Sequence, residues 1–290
     1  MTNGRLCDSI TSSLYHVKVI NSVKGNTKMK KAFIKIAALA VAVTMICVAL
    51  CSCGGKKRFT VGFDADFPPY GYIDENGEYT GFDIELAKEV AKRNGWEIKL
   101  KAIDWNAKDS LLSSGAIDCI WNGFTMNGRE DKYTWTKAYV DNSQVVVVKS
   151  DSGISALSDL AGKTVAVQSD SSALSILTDE ENAEMLALAK TFAKLKEYGD
   201  YNAAFLALES GAVDAIAMDI GVAKYQIKSR GDGYKQLYTI LASEQYGIGF
   251  ALGNAELCDA VSKTLSEIMA DGTYDKLAEK FGIDGAIKWN

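Results

Sequence analysis

The sequence predicts an α/β protein of two lobes, and three observations carry that expectation. An element of the chain, Ser114-Gly115-Ala116-Ile117-Asp118-Cys119-Ile120, recurs as Ser210-Gly211-Ala212-Val213-Asp214-Ala215-Ile216. Each copy follows a short helical pattern, through Leu111-Leu112 in the first and from Phe205 to Leu208 in the second, and each runs into an apolar strand. A helix, a tight glycine turn and a buried strand form half of an α/β unit. Two copies about a hundred residues apart point to two such lobes and not to a short-period array. Finally, the chain holds only 2 prolines in 290 residues, so the crossings between lobes read as short hinge strands and not as long tethers.

In chain order, Phe59-Thr60-Val61-Gly62-Phe63 reads as a buried strand. A turn-rich stretch follows, in which Asn76-Gly77 between Tyr72-Ile73 and Tyr79 predicts a hairpin. Asp83 is expected to cap a helix over 84–94, where Ile84, Ala87, Val90 and Ala91 recur at helical spacing and Asn94-Gly95 ends it. Glu97 to Ile103 alternates polar and apolar and reads as a strand. Val145 to Val148 and Lys163 to Val167 are further strands, with a linker expected at Asp151-Ser152-Gly153. Ser243 to Gly249 reads as irregular, and helices are expected over 255–269 and 273–281. In open parallel sheets ligands sit beyond the carboxyl ends of strands. One echoed strand ends in Asn122-Gly123-Phe124-Thr125 and the other in Met218-Asp219, so facing lobes would bring these ends to one cleft.

The amino-terminal region reads as an address. Lysine-rich residues from Lys28 to Lys35 precede the apolar run Ile36–Leu50, which is short for a membrane span and typical of a secretory signal. Leu50-Cys51-Ser52-Cys53-Gly54-Gly55 resembles a bacterial lipoprotein cleavage box. Cleavage and lipidation are expected at Cys53, because Leu50 is too bulky to precede a lipidated Cys51. Met29 stands where an initiator would. Residues 1–28 are therefore read as an extension outside the natural frame and 29–52 as the signal peptide. The only histidine is His16. A mature chain without histidine has no Ser-His or Cys-His pair and lacks the commonest transition-metal ligand. A net charge of -5 argues against nucleic acid. Cys119 and Cys258 sit in apolar patterns and are expected to be buried thiols.

Phe63-Asp64-Ala65-Asp66-Phe67-Pro68-Pro69-Tyr70, then Gly81-Phe82-Asp83-Ile84-Glu85-Leu86-Ala87, resemble the opening of the family-3 extracellular solute-binding proteins. These are receptors of polar amino acid ABC importers, of the glutamine- and lysine/arginine/ornithine-binding kind. The Ser-Gly-Ala-Ile-Asp element, Gly123-Phe124-Thr125 with Arg129, the Ser243 to Phe250 return and Asp271-Gly272-Thr273-Tyr274 extend the likeness from about Phe59 to Phe281. The resemblance implies a two-lobe, periplasmic-binding-protein-like fold of type II with two hinge crossings. One lobe would comprise 58–140 and 246–290, the other 144–242.

The resemblance also implies a site. Arg129 would grip the ligand's α-carboxylate with its planar fork, and Asp219 would hold the α-ammonium. Asn122, Gly123 and Thr125 would adjoin them, and the turn at Ser171 and Ser172 would complete the carboxylate site. Phe67 and Trp105 would sandwich the side chain, and Asp64 and Gln168 would touch its far end. The chain departs from the family at two points. Arg129 follows Thr125 by four residues where five is usual, and Asp170 stands where glycine is usual. Other roles stay open from sequence: Arg129 as a solvated surface charge, Asp219 as a helix cap with or without a ligand contact, Phe67 and Trp105 as core, Asp64 as a local turn former.

The implied protein is a monomer needing no cofactor or metal. Its partners would be a free L-amino acid, an ABC permease with its ATPase, and the membrane through the lipid anchor. An enzyme of the dehydratase kind on the same fold is the alternative, with Asp64 and Asp219 its only candidate acids, and a ligand-sensing module is a third. No lysine or arginine aligns with the side-chain end of the site. Polar neutral and basic ligands (glutamine, arginine, lysine, cystine) are therefore expected over acidic ones.

Overall fold

The computed structural model describes residues 56–289. The extension 1–28, the signal peptide 29–52, Met29 and Cys53 lie outside the described residues.

Strands flanked by helices are covered on both faces and read as unbroken apolar runs. That rule produces the two echoed strands. In the first half, β1 (Arg58–Phe63) leads to a small sheet of β2 (Asp66–Phe67), β3 (Gly71–Ile73) and β4 (Tyr79–Thr80), the last two forming the expected hairpin. Next come α1 (Phe82–Arg93), β5 (Glu97–Ala102), a 3-10 turn at Trp105–Ala107, α2 (Lys108–Ser113), β6 (Cys119–Thr125) and β7 (Thr134–Trp135). β8 (Val140–Lys149) crosses to the second half. There β9 (Thr164–Gln168), α3 (Ser172–Thr178), α4 (Ala183–Ala189), β10 (Lys194–Tyr198), α5 (Tyr201–Ser210), β11 (Ala215–Asp219), α6 (Ile220–Arg230) and β12 (Tyr234–Gln236) follow. β13 (Ala242–Phe250) returns, and α7 (Ala255–Ala270) and α8 (Thr273–Phe281) close the described chain.

The main sheet runs β10-β9-β11-β8-β13-β6-β1-β5, with β12 on β8 and β7 on β13. Its two ends are parallel α/β arrangements: β5, β1 and β6 on one side, β10, β9 and β11 on the other. The middle is antiparallel. β13 pairs with β8 from Ala242 to Tyr246 and with β6 from Tyr246 to Phe250, so its partner changes at Tyr246. β8 and β13 are the two crossings of a two-lobe, type II binding-protein fold.

The echoed segments are built alike. Gly115 and Gly211 each take a positive φ, 72° and 76°, the left-handed turn that glycine adopts without steric cost. The Asp118 carboxylate accepts from the Thr60 N–H at 2.6 Å, and Asp214 accepts from the Thr164 N–H at 2.8 Å. Asp118 N–H returns a bond to Thr60 and Asp214 N–H one to Thr164, each at 2.8 Å. The repeated aspartate therefore ties each turn to the neighbouring strand, β1 in one lobe and β9 in the other. Its role is structural and accounts for its recurrence.

Three expectations are corrected. Asp83 does not cap a helix, because α1 starts at Phe82 behind Gly81. Asp83 instead lies in the first turn, fully buried, and its Oδ2 accepts from Gly123 N–H at 2.6 Å and Tyr139 O–H at 2.8 Å. Ser243 to Gly249 lies within strand β13, and its irregularity is confined to a shift of register against β6 between Gly247 and Gly249. Its sequence is broken by Gly247 and Gly249 and by exposed polar residues at alternate positions, so it lacks a continuous apolar signal. Asp151-Ser152-Gly153 forms a tight turn between β8 and β9, within the second half, and is not a linker between lobes. Cys119 and Cys258 are buried and unbridged. Among the described residues no helix is long and apolar enough to cross a membrane.

Candidate functional site

β6 and β11 end where the two halves face each other. Their last residues, together with the end of β2, the 3-10 turn after β5, the end of β9 with the turn behind it, and the loop after β6, line a small cavity of about 20 Å³, room for about one water molecule. Its walls are Phe67, Trp105, Asn122, Gly123, Phe124, Thr125, Arg129, Gln168, Ser171, Ser172 and Asp219. The topological expectation of one cleft fed by both echoed strands thus describes the geometry. Of the residues implicated by sequence, Asp64 alone stands outside the wall. Its Oδ2 accepts from Gln168 Nε2 at 2.7 Å across the cleft and its Oδ1 from Asp66 N–H at 2.8 Å, so it both links the halves and stiffens a local turn. Burial raises its carboxyl to about 6 against the two donors, which pull it down.

Gly123 lies at the narrowest point. It has φ +55°, and a Cβ there would lie 2.9 Å from Phe67 Cε1 and 3.0 Å from Tyr246 Cε2, so only glycine lets these rings close on β6. Its N–H is taken by Asp83. Phe67 and Trp105 are nearly buried, and the Trp105 ring stands edge-on to Phe124. Asn122 is buried with its Oδ1 unpartnered and packed close to Gly71.

Arg129 reaches the cleft despite its shortened turn. Trp135 Nε1 donates to its carbonyl at 3.0 Å and holds the backbone. Its guanidinium lies over Phe124, 5.3 Å from the ring centroid, and donates to the carbonyl of Thr125 at 3.2 Å. Among the described residues no carboxylate pairs with it. Its fork is therefore uncommitted to any anion among the described residues.

The substitution at Asp170 is explained by two features. Asp170 adopts φ 56°, the left-handed conformation natural to glycine and tolerated by aspartate. Its carboxylate forms an ion pair with Lys108, which is buried in α2 on the opposite half. Lys108 also lies over the Trp105 ring at 5.1 Å. Sequence reasoning did not find this cation. It spans the cleft but does not line it. Ser171 Oγ is spent on capping α3 at Leu174 N–H, 3.1 Å.

Asp219 occupies the N-cap position of α6 without a side-chain cap bond. Its Oδ1 accepts from Tyr246 O–H at 2.6 Å, Gln144 Nε2 at 2.8 Å and Asn142 Nδ2 at 2.9 Å, and its Oδ2 from Tyr201 O–H at 3.2 Å. Glu244, on β13, was missed by sequence. Its Oε1 accepts from Asn142 Nδ2 at 2.7 Å, Gln144 Nε2 at 2.8 Å and Thr125 Oγ1 at 3.0 Å, and its other oxygen bonds Ser172 Oγ. The signal that locates it is period-two burial: Glu244, Tyr246 and Ile248 are buried while Ser243 and Gln245 face out.

The sequence profile of the bacterial extracellular solute-binding proteins, family 3, matches residues 59–284, nearly all of the described chain. The chain belongs to that family. Among its relatives, the arginine-binding extracellular protein ArtP of Bacillus subtilis is 31% identical over 253 residues, covering 84% of this chain and 96% of ArtP. The L-cystine-binding protein TcyJ of Escherichia coli is 31% identical over 235 residues, 79% of this chain and 85% of TcyJ. A crystal structure of an ABC uptake transporter substrate-binding protein from Streptococcus pneumoniae, with histidine bound, aligns with a TM-score of 0.75 at 31% identity. That alignment covers 80% of this chain and 95% of the other. The family and these relatives make the chain an amino-acid-binding solute-binding protein of ABC transporters.

Proposed function

We propose that this protein is the substrate-binding lipoprotein of an amino acid ABC importer, taking one free polar L-amino acid into the cleft between β6 and β11. The observation that carries the reading is the pairing of an uncommitted guanidinium, Arg129, with a buried acidic group, Asp219, on opposite halves of one cleft. A zwitterion matches that polarity. Arg129 holds the α-carboxylate by two parallel N–H bonds, and Asp219 takes the α-ammonium. Phe67 and Trp105 flank the side chain, Asn122, Gly123 and Thr125 add polar contacts from β6, and Ser171 and Ser172 approach from the other half. Asp64 and Gln168 lie toward the far end. The lobes comprise 58–140 with 246–290, and 144–242, a division supported by the change of partner of β13 at Tyr246.

A cavity of about 20 Å³ has no room for an amino acid, so entry requires the halves to part about β8 and β13, a hinge motion. Reclosure would present the permease with a surface that the open form lacks. The relatives' names span arginine and L-cystine, which supports the ranking of polar neutral and basic ligands. Asp64, Asp219 and Glu244 make the cleft acidic, and Lys108 is already paired, so an added ligand carboxylate at the side-chain end would find no cation. A dehydratase needs an acid placed against a leaving group; Asp64 stands outside the cavity wall, and Asp219 is the group assigned to the ammonium.

The deciding experiment is a thermal-shift screen of all L-amino acids and L-cystine. Stabilisation by arginine, lysine, glutamine or cystine is expected, and a selective response to glutamate or aspartate would reverse the ranking. Anchoring through Cys53 is checked by mass spectrometry of the membrane fraction, which is expected to yield a lipidated peptide starting at that residue. A mature terminus at Cys51, or an unmodified Cys53, would refute the anchor.

A further inference from the structure

Two carboxylates, not one, stand near the ammonium end of the cleft: Asp219 in the cavity wall, and Glu244 just behind it, bonded to the wall residues Thr125 and Ser172. Asn142 Nδ2 donates to both Asp219 Oδ1 and Glu244 Oε1, at 2.9 and 2.7 Å, and Gln144 Nε2 donates to both at 2.8 Å each. An amide NH₂ has two hydrogens, so each amide is fully spent on the pair and holds the two acidic oxygens side by side. Both carboxylates are buried, Asp219 at 4% and Glu244 at 4% exposure. Two like charges this close and this buried cannot both stay ionised cheaply. The same network has a shortage of donors: the amide oxygens Asn142 Oδ1 and Gln144 Oε1 are buried without a hydrogen-bond partner.

Taking this cleft as an amino-acid site, we infer that Asp219 and Glu244 share one proton when no ligand is bound, and that the ligand's ammonium displaces that proton to solvent on binding. The balance is simple. The proton leaves the pair, the ammonium donates N–H bonds to the same oxygens, and one cation replaces another. No covalent bond changes. Glu244 then becomes a second carboxylate for the ammonium, on a hinge strand, and Thr125 Oγ1 and Ser172 Oγ hold it from the two halves of the cleft.

The ionisable groups facing the pair agree with this assignment. Tyr70, Tyr201 and Tyr246 are fully buried and are pushed well above their ordinary range, so they stay protonated as donors or spectators. Burial first, then the charge of Glu244, pushes the Asp219 carboxyl up to about 7. Two openings reach Glu244. Arg129, Lys132, Asp170 and Asp179 line one, and Asp141, Lys224 and Asp284 line the other. Asp170 is neutralised by Lys108 and Lys224 pairs with Asp284 at 2.7 Å. That leaves Arg129, the residue assigned to the ligand's carboxylate, and Lys132 as the cations on the first side.

The sign follows from linkage. The folded pair holds a proton that an unfolded carboxyl, titrating near 4, has already released at neutral pH. Its contribution to stability is full below about pH 4 and is lost as pH rises through about 7. Binding runs the opposite way: with a proton to displace, affinity rises by about tenfold per pH unit below about pH 7 and then levels off.

The test is titration calorimetry of the full protein with L-arginine between pH 5.5 and 8, in pairs of buffers of different ionisation enthalpy, on wild type and Glu244→Gln. The wild type is expected to release about one proton per L-arginine near pH 6, and Glu244→Gln close to none, with a flatter pH profile. Glutamine is isosteric and keeps acceptor and donor positions for Thr125 and Ser172, so the variant is expected to fold. Arginine binding without proton release, or equal release by the variant, would overturn the shared proton and leave the amino-acid reading standing. If arginine does not bind, thermal unfolding without ligand from pH 4.5 to 8 decides. The fall of Tm with rising pH must be shallower in Glu244→Gln than in wild type, and superimposable slopes would sink the pair by themselves.

Discussion

Arg129→Ala is expected to weaken amino-acid binding by about 3–5 kcal/mol, a hundredfold or more, while leaving the fold nearly untouched. The guanidinium has no protein anion among the described residues, and its hydrogen bonds go to backbone carbonyls of Thr125 and Asp170. Little folding energy is therefore lost with it. A ligand carboxylate buried without its fork, however, faces the full desolvation cost. Arg129→Lys is expected to recover part of the affinity, because a point charge satisfies the carboxylate without the two parallel bonds. Calorimetry against the amino acid selected by the thermal screen measures both variants. Unchanged affinity in Arg129→Ala would remove Arg129 from the site and return it to the surface role that the sequence left open.

Asp83→Ala is expected to give the largest loss of stability. Truncation leaves two buried donors, Gly123 N–H and Tyr139 O–H, without an acceptor, at about 1–3 kcal/mol each. For a unit of this size that corresponds to a fall in Tm of roughly 10 °C. The loss extends to function, because the Gly123 N–H anchors the part of β6 that lines the cleft. Asp83→Asn separates shape from charge. Burial pushes the Asp83 carboxyl up to about 7, so the native side chain contributes stability that is present at low pH and lost as pH rises through about 7. The amide keeps an acceptor and does not titrate. Asp83→Asn is therefore expected to unfold close to wild type at pH 5 and to lose less on going to pH 8. Equal unfolding temperatures for wild type and Asp83→Ala would contradict the anchoring role.

The site and the fold were legible in the sequence to different depths. The echo at Ser114 and Ser210 was legible because a helix that must stop, turn left-handed and enter a buried strand accepts few residues: glycine at the turn, then apolar side chains. The meeting of the strand ends at one cleft followed from topology alone. β13 was not legible. β13 carries polar residues toward solvent in its first half and is buried throughout from Tyr246 to Phe250, so it has neither the apolar run of a parallel strand nor a clean alternation once Gly247 and Gly249 interrupt it. Missing that strand hid Glu244, whose inward direction depends on the period of two.

The sequence by itself determined the α/β class and the two lobes, because backbone periodicity and turn chemistry are local and leave their mark residue by residue. It also determined which groups are available: an arginine four residues beyond the end of the first echoed strand, an aspartate at the end of the second, and no histidine after His16. Only the tertiary structure decided how those groups are spent. Lys108 and Asp170 are 62 positions apart, as different from each other in sequence context as any two charges, and they meet only because the halves close. Asp83 looks like a helix cap until packing buries it against Gly123 and Tyr139. Asp219 and Glu244 lie on separate strands, and their pairing arises when β8 brings Asn142 and Gln144 between them. Charge pairing over such separations depends on distance and burial, which no stretch of sequence contains, and that is why the electrostatics of the cleft had to be read from the fold.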